Sequence, residues 1–158
     1  MLQPFDVNLR HLRALEAIMA EGSMSAAAEA VSLSQPALTQ GLAKLERQIG
    51  TALFDRRPDG MSPTQAGVLV AERAHAAFVH LAAAAKAISR GGNRGFSRFE
   101  QLMTATQLRA FLALADAGSF TGAAQATGLS QPALHRAVRD LEALGAAALV
   151  ERRGRGWR

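Results

Sequence analysis

The chain has 158 residues and a formal net charge of +5, from 18 Lys and Arg against 13 Asp and Glu. Its 49% hydrophobic and 20% charged residues describe a globular chain, not a disordered one. The absence of cysteine excludes disulfide frameworks, thiolate metal sites and cysteine nucleophiles.

The first residues, MLQPFDVNLRHLR, lack the basic start and apolar run of a secretory signal. The most apolar stretch, Ala74 to Ile88, is interrupted by His75, His80 and Lys86 and reads as too short to span a bilayer. A soluble, cytoplasmic protein is expected. Every basic residue except Lys44 and Lys86 is arginine, which permits nucleic acid as a partner.

The strongest signal is an internal repeat. An offset of 96 carries Leu12 onto Leu108, Gly22 onto Gly118, Ser34 onto Ser130, Leu45 onto Leu141 and Arg56 onto Arg152. Between positions 12 and 62 it gives 22 identities in 51 ungapped pairs, among them the run Leu33-Ser34-Gln35-Pro36-Ala37-Leu38. Two small domains are therefore expected in place of one.

Each unit reads as three short helices and a hairpin. The first helix carries Leu12, Leu15, Ile18 and Met19 on one face in unit one, and Leu108, Phe111, Leu112 and Ala115 in unit two. Gly22-Ser23 and Gly118-Ser119 end it. An alanine-rich second helix follows, near 25–31 and 121–127, and then a tight turn with Ser32 or Gly128. Ser34 and Ser130 are candidate N-caps of the third helix, with Pro36 and Pro132 in its first turn. Its apolar stripes are Leu38, Leu42, Leu45 and Ile49, and Leu134, Val138 and Leu141. Strand-like runs at 52–55 and 148–151 lead into hairpin turns at 57–60 and 153–156. Helix, helix, turn, helix, hairpin is a winged helix-turn-helix.

After the first hairpin, Ser62-Pro63-Thr64 opens a helical pattern reaching about Ser89, roughly 39 Å long. Gly67, Val70, Ala74, Ala77, Leu81, Ala84 and Ile88 alternate spacings of three and four. Such a seam needs a partner helix: its own domain, or a second copy of the chain. Val70, Ala74, Ala77, Leu81, Ala84 and Ile88 are the dimerisation candidates. Arg90-Gly91-Gly92-Asn93-Arg94-Gly95 reads as flexible. The expected fold is mainly α: winged unit 1–62, long helix 63–90, flexible linker 91–103 and a second winged unit 104–158.

The segments AAAEAVSLSQPALTQGLAKLERQIGTALFDRR and MSPTQAG in unit one, and GSFTGAAQATGLSQPALHRAVRDLEALGAAALVERRGRG in unit two, resemble the N-terminal DNA-binding domain of LysR-type transcriptional regulators. The resemblance covers about 9–89 once and about 104–158 again. It implies a bacterial regulator in which the winged domain is followed by a dimerising helix and then an effector-binding domain. No effector domain is recognised in this sequence, and its end falls inside the second hairpin, so an N-terminal fragment of a longer regulator is expected. The implied partners are double-stranded operator DNA and a second copy through the 63–90 helix, in the cytoplasm with the nucleoid. No membrane partner, metal or cofactor is expected.

A helix-turn-helix places the start of its second helix in the major groove. The recognition helices are expected at 35–48 and 131–143, with Gln35, Pro36, Ala37, Thr39 and Gln40, and Gln131, Pro132, Ala133, His135 and Arg136, as base contacts. Gln pairs with adenine, Thr or Ala meets a thymine methyl, and Arg136 suits guanine. Phosphate and wing candidates are Ser34, Lys44, Arg56 and Arg57, and Ser130, Arg139, Arg152, Arg153 and Arg155. Helix capping for the serines and glutamines, and plain solvation for the arginines, are the alternatives.

Catalysis finds little support. His75 and His80 are five apart, not at the i, i+4 spacing of a helical metal pair, and residues 91–95 lack the ending of a phosphate loop. No serine lies in a nucleophile-elbow pattern. The rival reading makes unit two a protein-interaction module, with Trp157 as an exposed apolar anchor and only unit one reading DNA.

Overall fold

The protein is described here from a computed structural model, which covers residues 3, 5–89, 99–153 and 156–157. The chain divides into two compact units, Met1–His80 and Leu81–Arg158.

In the first unit, α1 (Leu9–Glu21) is capped by Asn8 and ends at Gly22 in the left-handed region. Helix α2 (Met24–Ala30) starts at Ser23, whose side chain accepts from Ala26 N. Helix α3 (Gln35–Ile49) starts at Ser34, whose hydroxyl accepts from Ala37 N as expected. Antiparallel strands β1 (Phe54–Arg57) and β2 (Gly60–Pro63) form the hairpin, pairing Phe54 with Pro63 and Arg57 with Gly60. Helix α4 (Gln65–Ser89) follows. Leu15, Ile18, Leu38, Leu45 and Leu53 are fully buried in one cluster that α4 joins through Ala71. Each such side chain stabilises the unit by roughly 1.5–3 kcal/mol.

The second unit begins in the last turns of α4. Leu81 and Ala85 pack with Phe99, Met103 and Leu141. After α5 (Phe99–Leu102) come α6 (Ala105–Ala117), α7 (Phe120–Thr127), α8 (Gln131–Gly145) and the hairpin β3 (Arg152–Arg153) and β4 (Gly156–Trp157). Thr104 and Gln107 close a capping box on α6, and Ser130 caps α8 by accepting from Ala133 N.

Several expectations need correction. On α6 the buried residues are Ala105, Ala110 and Leu114, while Leu112 and Ala115 are exposed. The repeat explains this: Leu114 matches Ile18, whereas Leu112 matches Glu16. The strands begin two residues or more later than expected, at Phe54 and Arg152, and the N–H groups of Leu53, Leu149 and Val150 just before them go to glutamates. The expected linker over 91–103 holds a short helix at 99–102 with Phe99 and Met103 buried, since apolar side chains there close the core of unit two. Residues 90–98 lie outside the described residues.

Helix α4 also departs from its expected seam. Its buried side chains are Ala71, Ala74, Phe78 and Ala85, with Val70 and Leu81 partly buried against the two cores. Val70, Ala74 and Leu81 are thus taken within the chain, and Ala77, Ala84 and Ile88 remain exposed. The segment Gln65–Ile88 is long and apolar enough to cross a membrane by length and composition, so the helix is longer than the stretch expected to be too short to span a bilayer. Polar groups tie its middle to α1: the Arg13 guanidinium lies 4.0 Å over the Phe78 ring, and His75 Nδ1 is 3.0 Å from Glu16 Oε1.

Candidate nucleic-acid interface

The helix-turn-helix of unit one is fastened at its polar edge. The Ser25 hydroxyl donates to Gln35 Oε1 at 3.3 Å, joining α2 to the first residue of α3. The Thr39 hydroxyl donates to the Gln35 carbonyl at 2.9 Å, which occupies its one proton. The Gln35 amide keeps its N–H donors and one carbonyl lone pair for a further partner.

The wing is fixed at two points. Met61 N donates to Gly22 O at 3.1 Å, docking β2 on the end of α1. The Glu46 carboxylate, on α3, accepts from Leu53 N at 2.8 Å and Phe54 N at 3.4 Å, holding the entry to β1. Between the wing and α3 lies an open groove lined by Ser23, Met24, Gln35, Thr39, Arg56, Arg57, Gly60 and Met61. Four residues singled out from sequence therefore converge: Gln35, Thr39, Arg56 and Arg57. Pro36, Ala37, Gln40 and Lys44 are exposed on α3 outside the groove lining, and Ser34 serves as the cap.

Unit two repeats three of these links at the same offset, the glutamine being the donor in the first. Gln131 Nε2 donates to Thr121 Oγ1 at 3.2 Å. Trp157 N donates to Gly118 O at 2.8 Å. Glu142 Oε1 accepts from Leu149 N at 2.8 Å and Val150 N at 3.2 Å. Gln131, Pro132, Ala133, His135, Arg136, Arg139 and Arg152 are exposed. Arg155 lies outside the described residues, and only the backbone of Arg153 is described.

The groove itself differs. Where unit one has Met24, Thr39 and Met61, unit two has Phe120, His135 and Trp157. The His135 ring stacks on Phe120 at 3.5 Å between centroids, and Trp157 meets Phe120 edge-on at 5.3 Å. Trp157 is half-buried in this pile and is no exposed anchor. The outer side of α8 carries a shallow depression lined by Pro132, His135, Arg136, Arg139 and Asp140.

Sequence reasoning missed the glutamates and the residues that floor the grooves. Glu46 and Glu142 were visible as an identical pair in the repeat, but an acidic residue in a basic site offered no reason to select it. Among the described residues no group of three His, Cys, Asp or Glu side chains could hold a metal ion.

A family profile described as bacterial regulatory helix-turn-helix protein, lysR family, matches residues 9–68 and 105–158. The chain is 47% identical over 78 residues to the HTH-type transcriptional regulator CbbR of Sinorhizobium medicae, covering 49% of this chain and 25% of that protein. It is 29% identical over 149 residues to the HTH-type transcriptional regulator GalR of Pseudomonas putida, covering 94% of this chain and 36% of that protein. The crystal structure of the BenM DNA-binding domain with catB site 1 DNA superposes with a TM-score of 0.51 at 26% identity, covering 53% of this chain and 94% of that one. The chain spans about a quarter of the length of the first two curated relatives, both CbbR proteins. These relatives are regulators of transcription, not enzymes. With matches covering more than half of its residues, the chain belongs to the lysR family of bacterial regulatory helix-turn-helix proteins.

Proposed function

We propose that this chain binds double-stranded DNA sequence-specifically, through two winged helix-turn-helix units in tandem, as part of a longer cytoplasmic, nucleoid-associated transcriptional regulator. Helices α3 and α8 each enter a major groove by their N-terminal ends. Gln35, Pro36, Ala37, Thr39 and Gln40, and Gln131, Pro132, Ala133, His135 and Arg136, address bases. Ser34, Lys44, Arg56 and Arg57, and Ser130, Arg139, Arg152, Arg153 and Arg155, address phosphates or a flanking minor groove.

The observation that carries the reading is the groove of unit one, where the Gln35 amide, a threonine and two wing arginines border one concave surface. A nearly whole-chain match to a longer regulator and a DNA-bound structural neighbour support it.

The chain works as a homodimer through α4. Ala77, Ala84 and Ile88 of the expected seam remain exposed, and Leu69, Ala76, Val79 and Ala83 form a second exposed apolar stripe at helical spacing. Such a dimer presents four reading heads and calls for a long, roughly palindromic site.

Selection of bound duplexes from a random pool at near-physiological salt tests the reading. Enrichment of a long site with two distinct half-site motifs is expected. Enrichment of one motif makes the other unit a docking or non-specific module, and affinity and sequence preference unchanged in R136A combined with R139A would assign docking to unit two. Salt-labile binding without enrichment overturns sequence-specific recognition.

A further inference from the structure

The two reading heads carry different chemistry at one equivalent position, and the structure fixes how each side chain is held. Thr39 and His135 match across the repeat. The Thr39 hydroxyl donates back to the Gln35 carbonyl at 2.9 Å. It therefore has no proton to offer a base acceptor, and its methyl is the group left for an apolar contact. The His135 ring lies on Phe120 at 3.5 Å with 16° between planes, so one face is covered. Phe120 is itself buried and braced edge-on by Trp157 at 5.3 Å. His135 is nevertheless exposed and borders the depression with Pro132, Arg136, Arg139 and Asp140. With one face covered, the polar groups left to the ring are its edge nitrogens, one of which carries an N–H donor in the neutral ring.

We infer that this position is a base-identity switch between the two heads: Thr39 selects thymine through its 5-methyl group, and His135, held by Phe120, selects guanine by donating to N7 or O6. The chemistry follows from the major-groove pattern, in which guanine offers two acceptors and thymine alone a methyl. Phe120 acts as a positioning residue. By restricting the imidazole to one pose it lowers the side-chain entropy lost when the hydrogen bond to DNA forms. Asp140 borders the same depression and is an acceptor only, so it offers guanine N7 and O6 no bond and leaves donation to them to His135. The inference rests on the proposal that both recognition helices enter major grooves.

The test uses the full chain and the duplex selected by it. In the unit-two motif, each guanine in turn is replaced by an analogue, 7-deazaguanine to remove N7 or 6-thioguanine to weaken O6 as an acceptor. At one position it should weaken binding about tenfold, within the usual cost of one mismatched pair. That sensitivity should vanish in H135T and persist in R136A, which should instead relax a neighbouring position. In the unit-one motif, uracil for thymine should weaken binding several-fold in the wild type and not in T39S. F120L, which leaves His135 in place, should reduce the guanine preference to a few-fold. Analogue sensitivities identical in wild type and H135T, or a uracil duplex bound as tightly as thymine, overturn the inference while leaving DNA reading intact. Absence of any enriched motif overturns the DNA reading itself.

Discussion

At the scale of single residues, the repeat acts as an internal control on strain. Ser32 holds φ of 53° in the turn between α2 and α3, where unit two has Gly128 at φ of 70°. A side chain in the left-handed region costs about 1–2 kcal/mol, part of which glycine returns as unfolded-state entropy. Ser32→Gly should therefore raise the melting temperature of unit one by a few degrees, read by calorimetry. Gly67 is the opposite case, since a Cβ there would drive into the Leu53 carbonyl. Gly67→Ala should lower stability by about 2 kcal/mol or more by forcing α4 off the wing. His11 adds a pH dependence. Its burial, then the charges of Lys44 and Arg10, hold its pKa below the ordinary histidine value of 6.5. Its ring packs on Gly41 of α3, where an added Cβ would stand 2.9 Å away. The folded state favours the neutral ring, so this stability is complete above about pH 6.5 and is lost as pH falls through the lowered value. His11→Gln, the residue type that unit two carries at Gln107, should flatten the acid side of the stability profile. An unchanged profile would assign acid sensitivity elsewhere.

At the scale of elements, the wings depend on α3 and α8. Glu46 and Glu142 each bind two backbone N–H groups at the hairpin entry. Losing a carboxylate that satisfies such donors costs about 1–3 kcal/mol. Glu46→Ala should loosen the first wing and weaken binding to the unit-one motif while sparing the unit-two motif. Glu142→Ala should do the reverse, in competition assays with separate half-sites. Helix α4 makes a different prediction. Leu69 and Val79 are 53% and 52% exposed on a helix whose opposite side is buried. Val79→Glu should shift the sedimentation coefficient from dimer to monomer with little change in melting temperature. A wild-type chain that sediments as a monomer would remove the dimer from the proposal.

At the scale of the whole molecule, charge is divided unevenly. Residues 12–62 carry five basic and six acidic side chains, and residues 108–158 carry seven and four. Phosphate neutralisation dominates non-specific affinity, so unit two should supply most of it. Replacing Arg136, Arg139 and Arg152 by alanine should reduce the salt slope on generic duplex more than replacing Lys44, Arg56 and Arg57. Equal reductions would show that the acidic groups of unit one, Asp55 and Asp59 among them, do not oppose its arginines.

The sequence by itself determined what depends on near neighbours. Serine caps, left-handed glycines, helix periodicity and the 96-residue offset are local or self-referential, and the elements follow them closely from α1 to α3 and from α6 to α8. It singled out Gln35, Thr39, Arg56 and Arg57, which border one groove, because a helix start and a hairpin can each be read within a few residues. Tertiary structure decided what depends on distant partners. A seam of small residues on α4 is equally compatible with a second chain and with its own cores, and packing gave Ala74 and Leu81 to the cores. The carboxylates of Glu46 and Glu142 find their N–H partners seven and eight residues on, across a turn that periodicity does not describe. The stack of His135 on Phe120 joins two helices and a wing, and only the fold could bring those rings together.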